Sequence, residues 1–298
     1  MTSISDFSKG LMEAVERGGA ATILVDARHR FPASGIAYAA DLILTADHVV
    51  TRDEGLSIVT PGGEEAPVTI VGRDPGSDLA LLRASGGKLG PAKTAATQAK
   101  VGQLVLALGR PSKAGVQASW GVITAIGGPT RTGRGGLLDA YIQSETTPYP
   151  GFSGGPLIDT EGAVIGLNTS GLTHGGALTI PTSVAWRIAD ALARFGTVKR
   201  GYLGVRTQSV DLPETTRMTL PSRQEKGLLL MWLEEQGPAA QGGLMIGDII
   251  VSVGRTAVGD PEDLFAALTG ETVGKSVQVD VVRGGKLQSL GVSVGERQ

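Results

Sequence analysis

Residues 41–50 read DLILTADHVV. The run is apolar, carries β-favouring side chains and is too short for a typical helix, so it is read as a buried strand. Similar runs lie on either side of it. ATILVDAR precedes it, and LSIVT, VTIVG, LALLR, QLVLALG, GVITAIG, AYIQSE, PLID, AVIGLN and ALTIP follow, separated by Gly, Pro and Asp. Many short strands at close spacing predict a mainly β fold, a sandwich or a barrel. The strand–helix alternation of a parallel α/β sheet is missing from this part of the chain.

The whole chain has 298 residues, more than one hydrophobic core usually organises, so two domains are expected. Its 45 glycines fall without a collagen period and point to many tight turns. Lys and Arg total 27 against 29 Asp and Glu, a formal charge of -2, which gives no general attraction to nucleic acid or to anionic membranes. The chain contains no cysteine, which excludes disulfides, a thiol nucleophile and a Cys-ligated metal. Met1 to Arg17 lacks a basic segment followed by an apolar one, and Ala20 to Val25 is too short to span a bilayer. The expectation is a soluble, cytoplasmic protein without membrane insertion, or a periplasmic one if the N-terminus has been trimmed.

Helices are expected at two places in the first part. In SDFSKGLMEAVER (5–17), Phe7, Leu11 and Val15 recur every four residues and share a face. In TSVAWRIADALARFG (182–196), Val184, Ile188, Leu192 and Phe195 do the same, with Thr182 or Ser183 as N-cap and Gly196 as the stop. TVKRG then reads as a linker. The remainder is mixed α+β, with strands at YLGV, GLLLMWL, DIIVSVG and SVQVDVVRGG and a helix at PEDLFAALTG, for which Asp260 is the N-cap and Pro261 the first helical residue. The expected domains are 1–198 and 199–298.

Chemistry concentrates at Pro150-Gly151-Phe152-Ser153-Gly154-Gly155-Pro156-Leu157. A serine between glycines can expose its hydroxyl on a tight turn. The same turn can aim the N–H groups of Gly151 and Ser153 at one point, as an oxyanion hole requires. The base must come from three histidines. His48 ends an apolar strand that would hold its ring, His29 sits between arginines in a surface turn, and His174 lies in the Gly-rich stretch SGLTHGG. An orienting carboxylate comes from Asp78, at the entry to LALLR, or from its rival Asp74, whose Asp-Pro context suits a turn. The order His48, Asp78, Ser153 is that of the chymotrypsin-type arrangement. It agrees with the all-β reading.

These segments resemble the HtrA (Deg) family of serine proteases: LILTADHVV, GSDLALLR, SWGVITAIG, YIQSETTPYPGFSGGPL and VIGLN follow the family's order. RGYLGV, GPAAQGGLMIGDIIVSVG and the following helix resemble its PDZ domain. The resemblance covers about residues 5 to 290. It implies a trypsin-like double β-barrel with the active site between the barrels, followed by one small α+β PDZ domain. His48 would be the general base, Asp78 the orienter and Ser153 the nucleophile. Segments 128–138, 146–152 and 170–177 would be activation and specificity loops. Tyr202, Leu203, Gly204 and Val205 would bind a peptide's C-terminal carboxylate, with Leu264 and Leu268 either lining the side-chain pocket or filling the core. The family's N-terminal contacts imply a homotrimer, for which Phe7 and Leu11 are candidates against packing on their own barrel.

Two positions depart from the family pattern. Phe152 stands where Asn is usual, and Glu145 where Asp is commoner; the hairpin between Gly35 and Leu42 is also short. The function expected is ATP-independent endoproteolysis of unfolded or damaged proteins, with no metal or cofactor. The primary specificity pocket is expected to be small and apolar, near Leu167–Thr169 and Leu178–Ile180. The competing reading is a peptide-binding adaptor whose protease site is silent, with Phe152 as the residue responsible.

Overall fold

Helix α1 (Ile4–Gly19) begins at Ser3, whose hydroxyl accepts the Asp6 N–H while the Asp6 carboxylate accepts the Ser3 N–H. This reciprocal cap fixes the first turn. Leu11 and Val15 pack on the apolar core, and Ala14 is buried in it. Phe7, on the expected apolar face, stays 47% exposed. The structure, a computed structural model, describes residues 3–86, 88–132, 136–172, 178–199, 201–268 and 272–296. The chain forms two compact units, Met1–Val198 and Lys199–Gln298.

In the first unit, six strands close a barrel: β1 (Thr22–Asp26), β2 (Ala33–Ala37), β3 (Leu42–Ala46), β4 (Ser57–Val59), β5 (Glu65–Asp74) and β6 (Leu79–Ala84), in the order β1-β2-β3-β6-β5-β4. A second closed barrel uses β7 (Leu104–Ser112), β8 (Gly115–Gly127), β11 (Tyr141–Ser144), β12 (Pro156–Ile158), β13 (Val164–Thr169) and β14 (Leu178–Pro181). Between β8 and β11, β9 (Thr130–Arg131) and β10 (Leu137–Leu138) pair as a small ribbon.

Both faces of β3 are buried, which explains why its sequence is a continuous apolar run rather than an alternating one. Ile43 points into a cluster with Ile23, Val25, Ile58 and Leu82. Leu42 and Leu44 point the other way, into a layer shared with Leu106, Leu108, Leu167 and Ile180 of the second barrel. Helix α2 (Thr182–Phe195) adds Val184, Ile188 and Leu192 to that layer. Its N-cap is Pro181, with no side-chain cap, so neither Thr182 nor Ser183 has the expected capping role; Gly196 ends it in the left-handed conformation.

In the second unit, β15 (Gly201–Tyr202) pairs with β22 (Gly295–Glu296). The main sheet runs β16 (Val205–Asp211), β17 (Lys226–Leu233), β18 (Ile249–Val253), β20 (Ser276–Arg283), β21 (Lys286–Ser293), with β19 (Thr256–Ala257) beside β18. Short helices α3 (Glu214–Arg217) and α4 (Pro238–Gln241) precede α5 (Pro261–Ala267). Asp260 caps α5 with Pro261 at its first turn, as its sequence predicts. Leu264 and Leu268 are buried in the core with Leu203 and Val253. The Asp248 carboxylate, 2% exposed, receives Arg283 Nε and Nη2 at 2.7 Å each and the Met245 N–H at 2.8 Å.

Candidate active site

β3 runs straight into a single 3-10 turn, Asp47–Val49, that carries His48. The turn is anchored on both sides: the Asp47 N–H donates to the Asp78 carbonyl, and Arg73 Nε donates to the Asp47 carboxylate at 2.6 Å. Asp78 ends the turn between β5 and β6 with φ +57, a left-handed backbone that Asp tolerates better than most residues. Its side chain is fully buried. Oδ1 accepts the His48 backbone N–H at 2.8 Å, and Oδ2 lies 2.8 Å from His48 Nδ1. The Thr169 hydroxyl donates to the same Oδ2. Burial pushes the Asp78 carboxyl up, but these donors and the imidazole outweigh it and hold it below the ordinary value of 3.8. Asp74 is occupied differently, accepting the Ser77 hydroxyl. Of the two carboxylates that the sequence offers, Asp78 is the one in contact with the His48 ring.

Ser153 arrives from the second barrel, on the turn between β11 and β12. That turn needs glycines, since Gly151 and Gly154 both have positive φ, near +90° (+89 and +87). Ser34 on β2 clamps it: the Ser34 hydroxyl donates to the Gly151 carbonyl at 2.6 Å, and the Ser34 N–H donates to the Ser153 carbonyl at 3.2 Å. Among the described residues, the N–H groups of Gly151 and Ser153 donate to no protein acceptor. Both donors belong to the one turn that carries Ser153, the arrangement that an oxyanion hole needs.

His48 and Ser153 line one cleft of about 630 Å³. The Ser153 hydroxyl is hydrogen-bonded at 3.1 Å to that of Ser170, not to the His48 ring. Gly171 covers the His48–Asp78 pair so closely that a Cβ there would lie 2.5 Å from Asp78 Oδ2 and 2.6 Å from His48 Nδ1. Exposed His29 sits on the rim of the cleft. His174 lies outside the described residues, as do parts of the loops at 128–138 and 170–177.

Leu167 and Ile180 turn into the shared apolar layer, and strand alternation presents Asn168 and Thr179 to the cleft instead. Phe152 is 2% exposed and fills the second barrel with Val105, Ile123 and Ile142, while its edge meets the Tyr149 ring at a 5.4 Å centroid distance. Its ring therefore serves as an anchor for the serine turn. Ser34, Thr169, Ser170 and Gly171 escape a search of the sequence for nucleophile, base and acid. For Thr169 and Ser170, position alone could have raised a signal, since they directly follow the VIGLN strand.

In the second unit, the Leu203 and Gly204 N–H groups donate to no protein acceptor among the described residues. Among the described residues β16 is an edge strand, paired only with β17. Among the described residues no group of three His, Asp or Glu side chains could hold a metal ion, and no helix is long and apolar enough to cross a membrane.

Comparison with known proteins matches residues 33–167 to the trypsin-like peptidase domain family and 201–294 to the PDZ domain family. A probable periplasmic serine endoprotease, DegP-like, of Pseudomonas putida is 34% identical over 261 residues, covering 85% of this chain and 53% of that protein. Its counterpart in Brucella suis is 32% identical over 260 residues, covering 85% and 50%. The chain thus spans about half the length of the curated relatives it matches. The solved structure of the HtrA-type protease AlgW with decapeptide superposes with a TM-score of 0.80 at 25% identity, covering 97% of this chain and 99% of that one. The chain belongs to the HtrA family. The serine endoprotease from Yersinia pestis gives a TM-score of 0.77 at 28% identity, covering 97% and 98%.

One expectation is overturned by this membership. The cytoplasmic assignment rested on the missing export signal, but the HtrA-family relatives are named periplasmic. A signal peptide is removed from the mature protein, so its absence from a sequence carries no information about compartment.

Proposed function

We propose that this HtrA-family chain is a serine endopeptidase acting on unfolded polypeptides, with residues 1–198 as its protease domain and 199–298 as its peptide-binding PDZ domain. The observation that carries the proposal is the His48 Nδ1–Asp78 Oδ2 contact of 2.8 Å at the cleft that Ser153 also lines. With Nδ1 protonated and held by Asp78, His48 Nε2 is left as the acceptor for the Ser153 proton. Ser153 Oγ then attacks the scissile carbonyl, and its oxyanion is received by the Gly151 and Ser153 N–H groups. The imidazolium, stabilised by Asp78, returns the proton to the leaving amine. Water repeats the sequence on the acyl-enzyme.

An extended peptide adds to the free edge of β16 and ends at Tyr202–Val205. Exposed Ile4, Phe7, Met12 and Trp120 on and beside α1 support a homotrimer built on N-terminal contacts. The compartment proposed is the periplasm, where the named relatives reside.

Cleavage of reduced casein by wild type and Ser153→Ala tests the catalytic reading. Loss of a triad member costs on the order of 10⁴-fold, so the variant should be silent. Equal cleavage by both proteins would sink it. The Ser153–Ser170 hydrogen bond favours a second reading, a peptide-binding adaptor with a resting protease site. That reading requires a wild type inert to casein even with the groove occupied by peptide.

A further inference from the structure

We infer that the basic loop Arg28-His29-Arg30 selects substrate at the cleft, favouring peptide bonds that are followed by acidic residues. The inference rests on the proposed protease reading and narrows its substrate class.

The chain carries a formal charge of -2, but its cleft does not share that balance. Among the described residues the lining includes Arg28, His29, Arg30 and His48 and no Asp or Glu. The residues of 1–198 outside the described set bear no carboxyl side chain either. Asp78 is fully buried, and its carboxylate is engaged by His48. The two arginines share one wall, given by the first barrel. The opposite wall presents Ser144, Thr146, Asn168 and Thr179, all uncharged. A cleft lined by one sign of charge concentrates the other.

The loop is held in place by neutral acceptors. Arg28 Nε donates to the Phe31 carbonyl and Arg28 Nη2 to the Pro32 carbonyl at 3.1 Å, so the guanidinium braces its own loop and keeps its charge. At the start of the loop, the Ala27 carbonyl accepts the Thr51 N–H at 2.9 Å, which ties it to the segment following His48. At its end, the Pro32 carbonyl would lie 3.1 Å from a Cβ built on Gly151, against the serine turn. Among the described residues neither Arg28 nor Arg30 forms an ion pair. Asp26, just before the loop, is held by Arg52 at 2.9 Å instead. On the proposed mechanism His48 gives its proton to the leaving amine, so the residues after the scissile bond lie on the His48 side of the cleft. The basic loop is on that side. Carboxylates there meet two uncancelled guanidinium groups, which favours their capture over neutral or basic residues.

The test uses the full chain and internally quenched peptides that differ only in the residues after the scissile bond, which are glutamates, glutamines or lysines. Mass spectrometry confirms the bond cut. For wild type at low salt, kcat/KM should be about three- to ten-fold higher for the glutamate peptide than for the glutamine one, with the lysine peptide lowest. At about 1 M salt the three should converge. Arg30 is exposed and makes no contact that shapes the loop, so Arg30→Glu can be read without loss of the fold. It should abolish the glutamate preference and raise the lysine peptide above the glutamate one. A glutamate-to-glutamine ratio near one in wild type, or a preference that survives Arg30→Glu, would overturn the inference while the protease reading stands. An equal gain from glutamates placed before the bond would overturn it too. If wild type cleaves none of the peptides, the protease reading falls and the inference with it.

Discussion

The hydroxyl of Ser34 donates to the carbonyl oxygen of Gly151 at 2.6 Å, across the boundary between the two barrels. The same hydroxyl accepts the Arg110 N–H at 2.8 Å. The buried Arg110 guanidinium in turn reaches the Thr22 carbonyl at 2.7 Å and the Gly19 carbonyl, at the end of α1, at 3.0 Å. One chain of contacts thus runs from the N-terminal helix through Arg110 to the turn that carries Ser153. Ser34→Ala removes the clamp on Gly151. Misplacement of a reacting group costs on the order of 10²-fold, so kcat should fall by about that factor while KM changes little. Peptide-substrate kinetics, with circular dichroism to confirm folding, check this; an unchanged kcat would dismiss the clamp.

The Ser153 hydroxyl is engaged by that of Ser170 at 3.1 Å, and on the proposed mechanism it must turn from Ser170 to His48. A neutral hydrogen bond contributes roughly 0.5–1.5 kcal/mol net, so Ser170→Ala should speed acylation by about two- to ten-fold. The rate of labelling by a fluorophosphonate reports this directly. Slower labelling would show that Ser170 assists Ser153.

Gly171→Ala places a methyl within 2.5 Å of Asp78 Oδ2 and 2.6 Å of His48 Nδ1. The His48–Asp78 hydrogen bond cannot persist without displacement of the loop. Activity should fall on the order of 10³-fold or more, approaching the loss seen when the orienting carboxylate is disabled. Activity near the wild-type level would show that the loop moves aside at little cost.

Asp248 makes the second unit sensitive to acid. Burial raises its carboxyl, but Arg283 and the Met245 N–H prevail and hold it below the ordinary value of 3.8. A depressed carboxyl stabilises the fold above its unfolded value, and that contribution disappears as pH falls through the folded value. The thermal midpoint of the second unit should therefore drop as pH falls below about 4. Asp248→Asn, which leaves Arg283 without its carboxylate, should lower the midpoint at neutral pH on the order of 10 °C and flatten its acid dependence. Hydrogen exchange across residues 201–294 of the full chain separates this unit from the rest.

The sequence discloses those parts of the fold and site that depend on local pattern. His48 and Asp78 sit at the ends of apolar runs, and Ser153 lies among glycines, so all three are candidates by residue type and place, with Asp74 left as a rival to Asp78. β2 does not, because Ala-Ser-Gly-Ile-Ala offers one large apolar side chain. β16 and β21 carry many polar residues along a partly exposed sheet and lack the continuous apolar signal of β18. The cleft wall depends on strand register, and a shift of one residue exchanges Leu167 for Asn168. Phe152 follows the same logic: whether its ring enters the cleft or the barrel is decided by Gly109, where a Cβ would lie 2.5 Å from the ring. No pattern around residue 152 carries that information.

His48 and Asp78 belong to the first barrel and Ser153 to the second, while Leu44, Leu81, Leu108 and Leu167 lie in one buried apolar cluster that the two barrels share. On the proposed reading, peptide hydrolysis depends on how the two barrels, parts of one compact unit, are seated against each other. On that reading, heat or mild denaturant that loosens the seating by about an ångström should lower turnover on the order of 10²-fold before either barrel loses its strands. The temperature at which turnover fails should then be set by the apolar side chains between the barrels and shift with a single methyl group there.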